Sequence, residues 1–156
     1  MKVAFVIVLI WVAAILQQAL PPHLAILSFR PDFLLVTTVC LSLCMSRPAA
    51  TGVGFAAGLL SGAIIGANMT HYIISRCFAG FVGAWSRRLR FTMNPAVVGL
   101  TTAAVFVLAQ TLFMFLAAPK NIVGFLGDTI GSAMYNGVLA IPLYALIKRF
   151  LNPTVR

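Results

Sequence analysis

Acidic residues are almost absent from this sequence. It contains no glutamate and only two aspartates, Asp32 and Asp128, and charged residues of both signs make up 8% of its 156 residues. A soluble domain of this length could not cover its surface with so few charges. Because 62% of the residues are hydrophobic, the composition predicts an integral membrane protein.

Groups that carry catalysis or bind metal ions are equally scarce. His23 and His71 are the only histidines, and no phosphate-binding glycine-rich loop ending in Lys-Ser or Lys-Thr is present. Cys40 and Cys44 lie one turn apart on a predicted helix, and two thiols are too few for a typical metal site. We interpret these cysteines and Cys77 as packing residues. We therefore expect a non-enzyme with no catalytic residues, no cofactor and no metal site.

Long apolar runs dominate the sequence instead. A spanning helix needs about 20 apolar residues, and six segments approach that length. The sequence predicts a single membrane domain over residues 1–156, an all-α compact bundle of six transmembrane helices at about 3–20, 31–45, 49–67, 71–85, 97–118 and 130–147. The first run follows Lys2 as in a signal peptide, but bulky residues surround Ala19. We therefore expect a retained helix rather than a cleaved leader.

Basic residues predict the orientation of the bundle. With both termini in the cytoplasm, only Arg30 and Lys120 lie on the outer side, and Arg76 lies within the fourth helix. The inner side then holds eight basic residues: Lys2, Arg47, Arg87, Arg88, Arg90, Lys148, Arg149 and Arg156. The net charge of +9 therefore indicates orientation and contact with anionic lipid, not binding of nucleic acid.

Polar side chains within the predicted helices gather in the outer half of the membrane. Arg76, Gln110 and Asn136 lie at broadly similar depth, and Asp32 and Asp128 begin the second and sixth helices. An aspartate at a helix start suits the positive end of the helix dipole. Because an unpaired cation is costly in a membrane, we predict that Arg76 pairs with Asp32 or Asp128. The cluster either locks the bundle or lines an outward-facing cavity that binds a small solute.

Four glycines follow one another at intervals of four residues in the third predicted helix. They are Gly54, Gly58, Gly62 and Gly66, within the segment GVGFAAGLLSGAIIG. Small residues at this spacing allow two helix backbones to approach closely in lipid. We expect Gly54 and Gly58 to meet a helix of the same chain. Gly62 and Gly66 are the better candidates for contact with another protein.

Two short motifs carry a family resemblance. RPDFLLV at Arg30 to Val36 and GFAAGLLSG at Gly54 to Gly62 follow in the order found in the rod shape-determining protein MreD family. The chain resembles that family most clearly from Arg30 to about Arg90. The family pattern tends to carry an aspartate where this sequence has Gly62. The resemblance adds Arg30, Pro31 and Asp32 to the candidate partner-binding or packing residues.

The resemblance implies a non-catalytic scaffold of the bacterial inner membrane. It implies MreC as a partner, within a cell-elongation (rod shape) machinery that includes MreB, the RodA glycosyltransferase and a penicillin-binding transpeptidase and that carries out peptidoglycan synthesis. The implied fold is similar to that of the substrate-binding S-components of energy-coupling-factor vitamin transporters, and an S-component is the alternative function. The AxxxA-like spacing by which S-components dock is absent, because Ala13 is followed by Gln17 and Ala14 by Gln18. A homodimer and the face that binds MreC stay open.

Overall fold

The computed structural model describes residues 2–19, 29, 31–66, 69–86 and 94–151, and within these ranges the chain forms six α-helices and no β-strand. The all-α fold predicted from the sequence is therefore confirmed. The helices are α1 (Lys2–Ala19), α2 (Phe33–Ser42), α3 (Arg47–Ile65), α4 (Met69–Ser86), α5 (Pro95–Ala117) and α6 (Ile122–Leu151).

Helix α2 lies at the centre of the bundle. All nine residues from Leu34 to Ser42 are buried, and α2 contacts each of the other five helices. A helix enclosed on every side has to be apolar all round, as the sequence of α2 is. Two of its buried hydroxyl groups are satisfied within the helix: Thr38 donates to the Leu34 carbonyl and Ser42 to that of Val39.

The apolar core lies on both sides of α2. Leu34 and Leu41 pack with residues of α1, α3 and α6. Leu35 and Val39 pack in a second cluster with residues of α4, α5 and α6. The outer helices also pack directly on one another, above all α3 on α4 and α5 on α6. Because α2 contacts all five of them, its position determines where the polar groups at its start can reach.

Apolar side chains also cover the outside of the bundle. Trp11, Leu100, Phe115, Val123 and Met134 are largely exposed. Helices α3, α5 and α6 are long and apolar enough to cross a membrane, and α1 and α2 are shorter apolar helices. An apolar exterior of this kind suits lipid rather than water. Six crossings of the membrane stay a prediction.

One predicted helix boundary is wrong. Helix α6 begins at Ile122 rather than at residue 130. The side chain of Asn121 accepts a hydrogen bond from the Gly124 N–H at 3.0 Å, as an N-cap does, and this cap starts the helix two turns earlier. Asp128 consequently lies inside α6 and not at its first residue. The same helix ends at Leu151, four residues beyond the predicted 147, and all remaining boundaries lie within three residues of the predicted ones.

Candidate functional site: the Asp32 junction and a polar cavity

Asp32 joins three helices, and each of its polar groups described here has a partner. Its Oδ1 atom caps α2 by accepting from the Leu35 N–H at 2.9 Å. Its Oδ2 atom forms an ion pair with Arg76 of α4. Its backbone N–H donates to Oδ1 of Asn136 in α6 at 2.8 Å. We call Asp32, Arg76 and Asn136 the Asp32 junction.

Arg76 is the buried cation of this junction. The residue is 4% exposed, and its guanidinium carbon lies 5.9 Å from the ring centre of Tyr72, within cation–π range. A buried charge of this kind is tolerated only when it is paired and hydrogen-bonded. Of the two aspartates that the sequence offered as partners, Asp32 forms the ion pair, whereas Asp128 is exposed.

Asn136 orients the start of α2 through its side-chain amide. It is completely buried, and its amide donates to the Ser132 carbonyl one turn earlier at 2.7 Å. Its Oδ1 atom accepts from the Asp32 N–H, a donor that lies before the first turn of α2 and has no acceptor within that helix. Asn136 therefore fixes where the ion pair lies in the bundle.

A polar cavity of about 350 Å³ adjoins the junction. It lies at the end of the bundle where α1, α3 and α5 finish and α2, α4 and α6 begin, so all six helices or their caps contribute to it. The lining residues are Gln17, Asp32, Ser61, Ile64, Ile65, Tyr72, Arg76, Gln110, Phe113 and Phe125. Volumes of 300–1,000 Å³ are typical of sites for small molecules.

Three polar atoms of the lining are buried and have no hydrogen-bond partner among the described residues. They are Oε1 of Gln17, Oγ of Ser61 and Nε of Arg76. They come from α1, α3 and α4, so they approach the cavity from different walls. Buried polar atoms are nearly always paired. The residues that line the cavity therefore include one acceptor and two groups able to donate that have no partner within the described part of the chain.

The chemistry available here is that of binding. Among the described residues of the lining, the charged side chains are Asp32 and Arg76, and they neutralise each other. Within the described ranges, no three His, Cys or Asp side chains lie together in a way that could hold a metal ion. The lining contains hydroxyl, amide and aromatic groups, which recognise a ligand through hydrogen bonds and stacking.

A family model describes nearly the whole chain. The model of the rod shape-determining protein MreD matches residues 1–154. The chain belongs to the MreD family. Comparison with curated proteins and with solved structures gives no match. The family assignment predicted from the RPD and GLL segments is confirmed over both motifs, and it identifies a shape-determining membrane protein of a family that is not known for enzymes.

The glycine row of this MreD-family chain packs α3 against α4. A Cβ atom built on Gly54 would collide with the Arg76 carbonyl oxygen, and one on Gly58 would lie 2.5 Å from Ile73 Cα. A Cβ on Gly62 would lie 2.7 Å from Met69 Cα. We call Gly54, Gly58 and Gly62 the glycine seam. Each step of four residues along α3 meets an earlier turn of α4, as in two closely packed antiparallel helices.

The structure differs from the expected division of this row. We expected Gly62 and Gly66 to be candidates for contact with a partner, but Gly62 is buried against α4 of the same chain. Gly66 ends α3 in the left-handed conformation, with φ of 72°, and its N–H donates to the Gly62 carbonyl at 2.8 Å. A glycine serves that cap because it has no Cβ.

The remaining predicted site residues are distributed around the junction. Pro31 is buried just before the α2 cap, and Gln110 lines the cavity. Arg30 and the basic loop at 87–90 lie outside the described residues. The sequence predicted similar membrane depth for Arg76, Gln110 and Asn136, with Asp32 at a helix start. In the structure Arg76 and Asn136 both contact Asp32.

Sequence reasoning missed Gln17, Ser61 and Tyr72 as cavity residues. Tyr72 lies one helical turn before Arg76, so the spacing alone could have suggested their contact. Gln17 lies in the last turn of α1, where a polar residue also fits a simple membrane boundary. Ser61 lies beside Gly62 in a run of small residues. For Gln17 and Ser61, the sequence carries no signal that distinguishes a residue lining the cavity from a residue packed in the bundle.

Proposed function

We propose that this protein is a non-catalytic inner-membrane scaffold of the cell-elongation machinery. It binds MreC and supports peptidoglycan synthesis by the machinery that contains MreB, RodA and a penicillin-binding transpeptidase. The observation that carries this proposal is the family match over residues 1–154. A bundle in which one central helix contacts the other five suits a scaffold, because partners then dock on a rigid body.

We further propose that both termini lie in the cytoplasm, where the basic residues contact anionic lipid. The described basic residues Arg47, Lys148 and Arg149 lie at the end of the bundle opposite the polar cavity. The excess of basic residues at that end supports the orientation. In this orientation the polar cavity opens towards the outer side of the membrane.

The test is capture of the partner from the bacterium to which the sequence belongs. The tagged full chain is extracted in mild detergent and its companions are identified by mass spectrometry, with an unrelated tagged membrane protein as the control. We expect MreC to be enriched only with this chain. We also expect cells depleted of the protein to lose rod shape and to recover it when the chain is supplied again. Absence of MreC together with unchanged cell shape would refute the scaffold.

A second candidate function is substrate binding as a transporter S-component, and the six-helix lining of the polar cavity favours it. The surface of α1 weighs against it, because the small residues Ala13 and Ala14 are buried inside the bundle and are not available for docking. Bulky Trp11 and Ile15 face outwards instead. Recovery of a transporter ATPase module in place of MreC in the capture experiment would establish this second function.

A further inference from the structure

We propose that the polar cavity binds a neutral, polyhydroxylated small molecule of about the size of one hexose ring. This inference goes beyond scaffolding, since capture of MreC does not require the cavity to be filled. It depends on four properties of the lining: unpaired buried atoms, a balanced charge, an aromatic wall and a limited volume.

The unpaired atoms define what the ligand has to offer. Ser61 is 3% exposed and Arg76 is 4% exposed, so neither unpaired group has access to bulk water. Their O–H and Nε–H groups require acceptors, and Gln17 Oε1 requires a donor. Because these atoms belong to three different helices, one ligand group cannot reach them all. A molecule with several hydroxyl groups provides donors and acceptors at separate points.

The charge of the described lining residues selects a neutral ligand. Arg76 is neutralised by Asp32 in the same lining. An added carboxylate would face the Asp32 carboxylate, and an added ammonium group would face the Arg76 guanidinium. Either charge would also lose its hydration on entering a site surrounded by Ile64, Ile65 and aromatic rings. Hydroxyl groups avoid both costs.

The aromatic wall and the volume suit a ring with apolar C–H faces. The rings of Tyr72 and Phe113 lie 4.8 Å apart between centres, and Phe125 also lines the cavity. Aromatic side chains provide a broad apolar face beside a polar tip, which matches the alternating C–H and O–H surfaces of a sugar. About 350 Å³ is near the lower end for small-molecule sites, so a single ring fits better than a larger ligand.

The experiment uses the purified full chain in a polyoxyethylene detergent, because sugar-based detergents would compete for the site. Saturation-transfer NMR measures binding of methyl glucoside, and glucuronate and glucosamine serve as its anionic and cationic counterparts. A second arm places the chain in nanodiscs with or without a glucosyl diacylglycerol. Binding in the first arm indicates a soluble ligand, and binding only in the second indicates a lipid-linked sugar headgroup. Either result supports the proposal.

Two variants make the test specific. Ser61→Ala removes an unpaired hydroxyl from the lining, and one lost hydrogen bond weakens binding about five-fold. Thr102→Val removes another buried hydroxyl that has no partner but does not line the cavity, so it leaves binding unchanged. Neither variant breaks a hydrogen bond within the protein. Absence of binding in both arms, preference for a charged counterpart, or equal loss in the two variants would overturn the proposal.

Discussion

Gly58 provides the most direct test of the glycine seam. A Cβ atom there would lie 2.5 Å from Ile73 Cα and 2.9 Å from the Tyr72 carbonyl oxygen, and both are backbone atoms that no rotamer change can move. Carbon atoms in ordinary contact are about 3.5–4.0 Å apart. Gly58→Ala therefore requires α3 and α4 to separate by about 1 Å, and overpacking of this kind costs about 1–3 kcal/mol.

Gly52 supplies a matched control in the same helix. It is exposed, and a Cβ atom there meets nothing within 4 Å. Both substitutions gain helix propensity of about 1 kcal/mol, so comparison of the two variants isolates the contact with α4. We expect Gly52→Ala to be at least as stable as the wild type. We expect Gly58→Ala to be less stable than Gly52→Ala by about 1–3 kcal/mol.

The free energy of unfolding can be measured in mixed micelles by titration with dodecyl sulfate and followed by circular dichroism. If the glycine seam is as described, Gly58→Ala unfolds at a lower dodecyl sulfate fraction than Gly52→Ala, and the two midpoints can lie on opposite sides of the wild-type midpoint. Equal midpoints for the two alanine variants would show that α4 does not approach α3 as closely as described, and would refute the seam.

Three other predictions use the same preparation or whole cells. Asp32→Ala is expected to lower the free energy of unfolding by about 3–5 kcal/mol, because it leaves Arg76 buried without a counter-ion. Asp128→Ala should change the free energy of unfolding by less than about 0.5 kcal/mol. An equal effect of the two substitutions would contradict the ion pair. Asn136→Leu leaves the Asp32 N–H without its acceptor and should cost about 1–3 kcal/mol in the same titration, whereas a wild-type midpoint would show that this bond does not stabilise the junction. In cells that carry a variant without the three native cysteines, a cysteine at Lys120 should react with a membrane-impermeant reagent and one at Thr154 should not, and the reverse pattern would refute cytoplasmic termini.

The helices could be read from the sequence because their apolar runs are long and separated by short polar or proline-containing breaks. Five of the six helices begin within two residues of the predicted position. The exception, α6, depends on a single side-chain cap at Asn121, which the apolar pattern does not reveal. A cap is a local hydrogen bond, and a glycine-containing segment such as 122–129 gives no strong apolar signal of its own.

The residues of the Asp32 junction could be predicted from the sequence, but the contacts between them could not. The cost of an unpaired cation requires a partner for Arg76, and that requirement reduces the choice to two aspartates. The choice between them depends on which helix start lies beside α4 in space. That is decided by the buried position of α2 and by the early start of α6, which carries Asp128 into an exposed position. Both are properties of the packed bundle rather than of any local segment.

Arg76 explains why the seam and the junction belong to one structural unit. Its backbone carbonyl faces Gly54 of α3, and its guanidinium group pairs with Asp32 at the start of α2. The glycine seam sets how near α4 lies to α3, and this distance determines whether the arginine reaches the aspartate. The ion pair in turn favours a close approach of α4, since a retreat would leave both charges unpaired in a low-dielectric interior. Close packing in lipid gains little from apolar burial, so the glycine contacts with α3 and the ion pair with α2 together hold α4 in its place.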